Sequence, residues 1–131
     1  MKSYNAKDFV VTFGNIYITG LGETMSTGEK DEDFFSTSVG AQGDVEMSEI
    51  NNPLGTVTIT LQATSPQKAY LMECAKSGAV LPLWATNKSI GERYGGTQAR
   101  ITKYPTLEEA AEAGEREFTF TVFDYTVEPT E

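Results

Sequence analysis

Strict alternation of apolar and polar residues in two segments constrains the fold of this chain more than any other feature. The segments are residues 56–63 and about 117–127. Because successive side chains of a strand point to opposite faces, each segment predicts a strand with one face in the core. The inward positions are Val57, Ile59, Leu61, Ala63, Phe118, Phe120 and Val122, and the outward ones are Thr56, Thr58, Thr60, Gln62, Thr119 and Thr121. Around Phe123 and Tyr125 both faces become apolar, which predicts a bulge or a half buried on both sides.

Weaker patterns predict the other strands. Residues 8–13 and 16–19 form a hairpin around Gly14-Asn15, for which a type II′ turn is expected. Glycines break the pattern after residue 19, so the polar stretch 23–30 is interpreted as a connection. Further strands are expected at 34–39, 44–49, 80–86 and 98–104, with a Gly-rich loop at 87–97. Pro82 predicts an edge or bulged strand.

Two segments carry helix signals. Ser65, Pro66 and Gly78 bound a main helix over residues 66–77. Thr106 and Glu109 form a capping box for a short acidic helix over 107–113, which Gly114 ends. The whole chain, residues 1–131, is therefore expected to be one mainly β domain of about seven strands, a sandwich or rolled barrel with one packed α-helix.

The residue inventory argues against most catalytic chemistry. The 131 residues include no histidine, which removes the commonest general base and transition-metal ligand, and a single cysteine. We expect Cys74 to be a small buried residue; a reactive thiol is the alternative. The acids at 31–33 lack calcium-loop spacing, residues 91–96 lack the phosphate-loop pattern, and no carboxylate pair stands out. No catalytic residue, cofactor or metal is predicted.

The net charge of −9 disfavours nucleic-acid binding, because an acidic surface repels phosphates. The acids concentrate in two segments. Residues 29–49 hold seven acids and one base, and residues 108–131 hold eight acids and one base. These segments and the threonine faces are either solvated, or they meet a neighbouring copy, a basic outer partner or a channel interior.

Beyond these patterns, four motifs follow one another along nearly the whole chain. They are Val10-Val11-Thr12-Phe13-Gly14-Asn15-Ile16-Tyr17-Ile18-Thr19, Asp33-Phe34-Phe35-Ser36-Thr37-Ser38-Val39-Gly40-Ala41-Gln42-Gly43, Ile50-Asn51-Asn52-Pro53-Leu54-Gly55-Thr56-Val57, and the closing Arg116-Glu117-Phe118-Thr119-Phe120. In this order they resemble the tail tube proteins of contractile-tailed phages and related bacteriocins. The closing motif is similar to the last strand of that family, and residues 39–66 are the most specific part.

The resemblance implies a non-enzymatic subunit that assembles into stacked hexameric rings. Such rings form the inner tube of a contractile tail, inside a virion or phage-tail-like particle assembled in the bacterial cytoplasm. The partners it implies are further copies of the chain, a tail sheath protein, baseplate and terminator proteins, and DNA that passes through without specific binding. It implies subunit contacts at Glu29, Lys30, Asp31, Glu32, Asp33, Phe34, Asp44, Glu46, Asn51 and Asn52, and sheath contacts at Glu108, Glu109 and Glu112.

Two other classes stay open from the residues alone. A β-sandwich module that binds carbohydrate or peptide would use Trp84 and the six tyrosines as stacking surfaces. A hydrolase built on carboxylates alone is the third hypothesis. The N-terminus lacks an apolar segment, so no secretory signal or stable membrane binding is expected.

Overall fold

The computed structural model describes residues 3–130, so that Met1, Lys2 and Glu131 lie outside the described residues. After a short 3-10 turn at Ala6–Asp8, this part of the chain contains ten strands and one α-helix. The strands are β1 (Phe9–Phe13), β2 (Ile16–Ile18), β3 (Leu21–Lys30), β4 (Phe35–Val39), β5 (Val45–Glu49), β6 (Gly55–Gln62), β7 (Leu81–Asn87), β8 (Glu92–Ile101), β9 (Glu115–Val122) and β10 (Thr126–Pro129); the helix is α1 (Lys68–Ser77).

Eight strands form one antiparallel sheet in the order β2-β1-β7-β8-β9-β6-β3, with β10 pairing with β8. Strands β4 and β5 form a separate two-stranded sheet. The centre of the large sheet is the ladder of β6 and β9, which runs unbroken from Gly55↔Val122 to Gln62↔Glu115. This register points the apolar residues of both alternating segments into the core together.

The sheet rolls up so that β3 crosses over the far side of the fold. Ser26 of β3 is hydrogen-bonded to Tyr94 of β8, with 2.5 Å between the two hydroxyl oxygens. Gly28 permits this approach, because a Cβ there would lie 2.7 Å from the Tyr94 ring and 2.9 Å from the Tyr125 hydroxyl. Phe13 and Phe120 meet edge to face inside the roll, with centroids 5.0 Å apart.

Helix α1 packs on this core through Leu71 and Cys74, which are both buried. The Tyr70 hydroxyl donates a hydrogen bond to the Phe13 carbonyl oxygen (3.1 Å), which ties the helix to β1. Gly78 ends the helix in the left-handed conformation, as its position predicts. The mainly β fold with one packed helix and a buried Cys74 is therefore confirmed.

The two alternating segments behave largely as predicted. The inward valine, isoleucine, leucine and phenylalanine positions are fully buried. Ala63 and Thr60 differ: Ala63 lies in the turn after β6 and is half-buried, and Thr60 is buried although it belongs to the outward face. Thr60 is covered because Gly22 and the Glu115 carboxylate lie over it; a Cβ on Gly22 would come within 2.9 Å of Thr60 Cγ2.

The last alternating segment is one line of chain divided into two strands. β9 and β10 both pair with β8 in the same register, and the division falls at residues 123–125. There the Asp124 carboxylate accepts hydrogen bonds from Thr97 N (3.1 Å), Thr97 Oγ1 (2.5 Å) and Gln98 N (3.1 Å). The irregularity that Phe123 and Tyr125 predicted is therefore present, and a carboxylate supplies the pairing that the backbone omits.

Two expectations about glycine positions were wrong, and of the two alternatives stated for Pro82 the bulge was confirmed. Gly14 and Asn15 both have positive φ (61° and 71°), so the first hairpin has a type I′ turn and not a type II′ turn. Residues 23–30 and 92–97 are strand and not connection, and their glycines make room for neighbouring chain. Strand β7 lies between β1 and β8, so Pro82 marks a bulge beside Leu81 and not an edge.

The acidic helix over 107–113 is absent. Residues 106–114 are irregular and exposed, although Pro105 just before them is buried. A helix of seven residues is too short to be stable by itself, and this one would bury no apolar face. The Glu109 side chain, which the capping box required, instead reaches Arg116 (3.4 Å).

The Asp124 contacts lead to a prediction about acid stability. Burial alone would raise the pKa of Asp124, but hydrogen bonds from Thr97 and Gln98 outweigh it and hold the pKa below its usual value. The resulting stabilisation is full above the unfolded pKa, near 3.8, and is lost as pH falls through the lower folded pKa. Asp124→Ala should lower the free energy of unfolding at neutral pH by about 1–2 kcal/mol, measured by urea denaturation.

The Asp124→Ala difference from the parent should shrink as pH falls through the folded pKa. The matched control is Asp33→Ala, because Asp33 is an exposed acid in a turn. A loss that is equal in the two variants, or that does not shrink in acid, would contradict the role assigned to Asp124.

Candidate assembly surface

The hairpin of β4 and β5 stands apart from the rest of the fold. Every residue of both strands is exposed, and the two strands pair only with each other within the described chain. A two-stranded hairpin is marginally stable in water without a further layer. We therefore expect at least one face of this hairpin to need a further packed layer for stability.

The two faces of the hairpin differ sharply in polarity. Its register pairs Phe35 with Glu49, Thr37 with Met47 and Val39 with Val45 on one face. Val39, Val45 and Met47 are 67%, 67% and 62% exposed. The other face carries Ser36, Ser38, Glu46 and Ser48. We call the face with Phe35, Thr37, Val39, Val45 and Met47 the apolar hairpin face; its one charged residue, Glu49, lies at the base opposite Phe35.

A clamp of hydrogen bonds holds the base of the hairpin. The Lys30 ammonium donates to the carbonyl oxygens of Glu32 (2.8 Å) and Asn52 (2.9 Å) and lies 5.1 Å from the Phe34 ring centroid. Asp31 accepts a hydrogen bond from the Thr56 hydroxyl (2.7 Å), and its own N–H donates to the Leu54 carbonyl oxygen (3.1 Å). These bonds fix both hairpin arms to the ends of β3 and β6.

The predicted contact residues therefore fall into two groups. Lys30, Asp31 and Asn52 belong to the clamp; the Asn52 side chain also accepts a hydrogen bond from Leu54 N (3.1 Å). The exposed group lies on the hairpin or at its base and consists of Glu29, Glu32, Asp33, Phe34, Asp44, Glu46 and Asn51. Burial raises the pKa of Tyr125, and the charges of Tyr94 and Glu29 raise it further; Glu29 and Tyr125 line the same groove.

The sequence prediction omitted the apolar hairpin face itself. Phe35, Val39, Val45 and Met47 were assigned to strands; the resemblance implied contacts for the segments 21–35 and 40–55 as a whole, without singling out these side chains. The signal was available in the alternation of both short strands, which puts these side chains on one face. What the sequence did not show is that no other part of the described chain covers them.

The predicted outer acids lie at the opposite end of β9. Glu108 and Glu112 are exposed in the irregular segment, and Glu109 pairs with Arg116, whose side chain is 6% exposed. Arg116 also donates to the Glu115 carbonyl oxygen (3.2 Å), while its Nε has no hydrogen-bond partner among the described residues. Glu109 therefore pairs with the buried Arg116 charge, whereas Glu108 and Glu112 are exposed.

The outward face of the large sheet is a half-buried threonine surface. The ladder pairs Thr56 with Thr121 and Thr58 with Thr119, and the hydroxyls of Thr102 and Thr121 lie 2.8 Å apart. Gly55 begins this ladder under the Tyr125 ring, where a Cβ would lie 2.2 Å from the ring. This surface offers hydroxyl groups and few charges.

Of the residues that a carbohydrate-binding module would use, Trp84 and two tyrosines are engaged within the chain, while Tyr4, Tyr17 and Tyr104 are exposed. Arg93 stacks on Trp84 with its guanidinium carbon 4.1 Å from the ring centroid, and it pairs with Glu128 (2.6 Å). Tyr70 and Tyr94 hold hydrogen bonds to Phe13 and Ser26.

Two other kinds of feature are not found among residues 3–130. No three aspartate, glutamate or cysteine side chains there lie close enough together to hold a metal ion. No helix in that range is long and apolar enough to span a membrane.

Comparison with solved structures finds the same architecture in chains of a prophage tube cap, a contractile injection system and a gene transfer agent virion. The tube-terminating cap of the anti-feeding prophage superimposes with a TM-score of 0.71 over 98% of this chain and 93% of that one, at 12% identity. A chain of the PVC sheath-tube complex of an extracellular contractile injection system superimposes with a TM-score of 0.69. The match covers 97% of this chain and 92% of that one, at 11% identity. A native gene transfer agent virion gives 0.67 over 98% and 100%, at 15% identity.

At these identities the similarity establishes the fold. No protein-family model matches the chain, and no curated protein matches it in sequence. The chain therefore has the fold of components of tail-like particles, and this fold covers nearly all of its length.

The clamp leads to a prediction about local opening. Lys30→Ala removes two hydrogen bonds from a charged donor, so amide exchange in residues 35–49 should speed up about tenfold, measured by mass spectrometry. Exchange in β6 and β9 should not change. Lys88→Ala is the control, because Lys88 is an exposed lysine in another turn. Unchanged hairpin exchange would show that Lys30 does not hold the base.

Proposed function

We propose that this chain is a structural subunit that assembles with copies of itself into the stacked rings of a tail tube. The observation that carries the proposal is the apolar hairpin face, whose large side chains are about half to two-thirds exposed on a clamped base. Its burial against another chain would supply the missing layer. The fold similarity to components of contractile particles supports the same role, and it implies a location in a virion or phage-tail-like particle.

Exposed apolar area is the driving force in this proposal. Removing apolar surface from water contributes about 25 cal/mol per Å², and a buried valine or methionine side chain contributes about 1.5–3 kcal/mol. Four such side chains on one face therefore form a contact that can repeat in every copy. The clamp restricts the hairpin before association, which lowers the entropy lost on docking.

The open edges of the large sheet are the second part of the proposal. Strand β3 pairs only with β6, and β2 pairs only with β1, within the described residues. We propose that edges of neighbouring copies join into one wall, with hexameric rings as the expected closed form. A joined wall would also remove the aggregation hazard of a ten-residue edge strand.

The threonine surface is the proposed lining of the conduit. Thr56, Thr58, Thr119 and Thr121 form a neutral hydroxyl face, and Glu117 lies in the same row of the sheet. Together with the net charge of −9, such a lining would let DNA or another cargo pass with little adhesion.

The outer contacts are proposed at the acidic segment. Glu108 and Glu112 are exposed and free to meet a basic sheath protein, while Glu109 is tied to Arg116. Exposed ion pairs contribute about 0–1 kcal/mol each. The double variant Glu108→Gln/Glu112→Gln should therefore weaken sheath binding several-fold at low salt, measured by co-sedimentation, with subunit stability unchanged. Equal binding by variant and parent would place the sheath contact elsewhere.

Two adjacent hairpin residues provide the main test of self-assembly. Met47 lies on the apolar hairpin face and Ser48 on the polar face. Met47→Glu should abolish rings and tubes in negative-stain electron microscopy, because the contact would have to bury a carboxylate at the centre of the face, whereas the native Glu49 lies at its base. Ser48→Glu introduces the same side chain one residue away and should leave assembly intact.

Both variants should fold like the parent, measured by circular dichroism and melting temperature, because both sites are exposed. A parent protein that remains a monomer at high concentration would overturn the proposed function. Tubes from both variants would remove the hairpin from the contact. An equal loss in both would show that charge on the hairpin, and not its apolar face, controls assembly.

A further inference from the structure

We propose that a groove at the far end of β3 is the receiving site for the apolar hairpin face of a second copy; this inference rests on the proposed function. The groove lies where β3 passes over the start of β1 and the β7–β8 turn. It has a volume of about 380 Å³ and is walled by Tyr4, Phe9, Met25, Ile90 and Tyr94. That volume is in the usual range of binding pockets, about 300–1,000 Å³.

Five of the ten lining residues give the groove apolar or aromatic surface that the fold itself does not cover, and the other five are polar, including Glu23 and Glu92. Tyr4 is 61% exposed and Ile90 39% exposed, while Phe9 and Met25 are half-buried on its walls. Met47 and Phe35 suit such a site, because a thioether packs well against aromatic rings and an aromatic side chain fills depth. Ser26 and Asn87 of the lining are already hydrogen-bonded within the chain, to Tyr94 and Ser89, so docking would rely on the apolar part of the groove.

A copy cannot fill its own groove. Strand β3 approaches Phe9 and Ile90 near Met25, reaches Tyr94 at Ser26, and ends beside Phe34 at Lys30. The five residue steps from the groove to the hairpin base span roughly 16 Å of strand. All ten strand residues of the hairpin remain exposed, which shows that the hairpin does not fold back. The occupant must therefore come from another molecule.

The charge distribution indicates a second copy as that occupant. Residues 31–67 contain no lysine or arginine, and Asp44 and Glu46 lie at the tip and on the polar face of the hairpin. Lys7 and Lys88 are exposed beside the groove, where Lys88 N donates to the Asp8 carbonyl oxygen (3.2 Å). Glu23 and Glu92 line the β3–β8 side. We therefore expect the acidic tip to lie toward the lysines.

This contact is heterologous, because the hairpin and the groove are different surfaces of the chain. When two copies join through a heterologous contact, the pair still has one free hairpin and one free groove. The contact therefore propagates from copy to copy.

Cross-linking between two single-cysteine variants tests the assignment. Met47→Cys is mixed with Ile90→Cys and assembled, and a short bismaleimide is added; native Cys74 is buried. Docking holds the two thiols at an effective concentration of about millimolar, so covalent dimers should form on the order of tenfold faster in assembled than in dispersed protein. The matched control is Met47→Cys with Val127→Cys, an exposed position beside the hairpin base.

The outcomes separate this inference from the proposed function. Tubes with 47–90 cross-links support both. Tubes in which residue 47 cross-links to residue 127, or to neither position, overturn the receiving groove and leave the tube function standing. Absence of any assembly from the parent chain overturns both. As a second measurement, Ile90→Glu should block assembly without changing the melting temperature, and normal tubes from this variant would overturn the groove.

Discussion

The register between β6 and β9 is the constraint on which the rest of the molecule depends. Eight consecutive pairs align Val57 with Phe120 and Ile59 with Phe118 on the inner face, and threonine with threonine on the outer face. A slip of one residue would exchange the two faces, exposing phenylalanine and burying hydroxyl groups. The same ladder sets where its neighbours end. Gly55 admits the Tyr125 ring at one end, and Arg116 lies buried opposite Leu61 at the other.

The ladder of β6 and β9 also sets the position of the hairpin. The chain enters it from Lys30 of β3 and returns to Gly55 of β6, so the strand pair that closes the core also aims the hairpin. The clamp at Lys30 joins the two arms at this point. Apolar side chains that would destabilise a free monomer surface by promoting aggregation are thereby confined to one oriented face. Exposed apolar side chains are unfavourable in an isolated chain. Because the clamp fixes their orientation, they can select one contact in an assembly.

The sequence predicted the elements whose pattern is local and missed those decided by distant contacts. Alternation located the β6 and β9 segments, and Gly78 located the helix end, because both signals lie within a few residues. Gly22 was interpreted as a break, and Gly28 and Gly95 as parts of a connection and a loop, but all three are positions where Glu115, Tyr94 or the Leu83 carbonyl leaves no space for a Cβ. A glycine that admits a distant residue has the same sequence signature as one that ends a strand. The capping box at Thr106 failed for a related reason, since Glu109 is drawn to a buried arginine that sequence alone cannot place beside it.

The candidate surface shows the same division between local and distant information. The polarity of the hairpin faces follows from the alternation in residues 35–49, whereas the absence of a covering layer is a property of the whole fold. Net charge adds a further constraint on assembly. Copies that each carry −9 repel one another, so a contact driven by charge alone would not hold them together. The apolar hairpin face, which is bordered by acids, overcomes this repulsion because burying its side chains supplies the attraction. The bordering acids oppose any docking that does not bring lysines such as Lys7 and Lys88 opposite them. Contact between two hairpins would join acid to acid, so the charge pattern favours the heterologous pairing that extends a tube over the symmetric pairing that ends in a dimer.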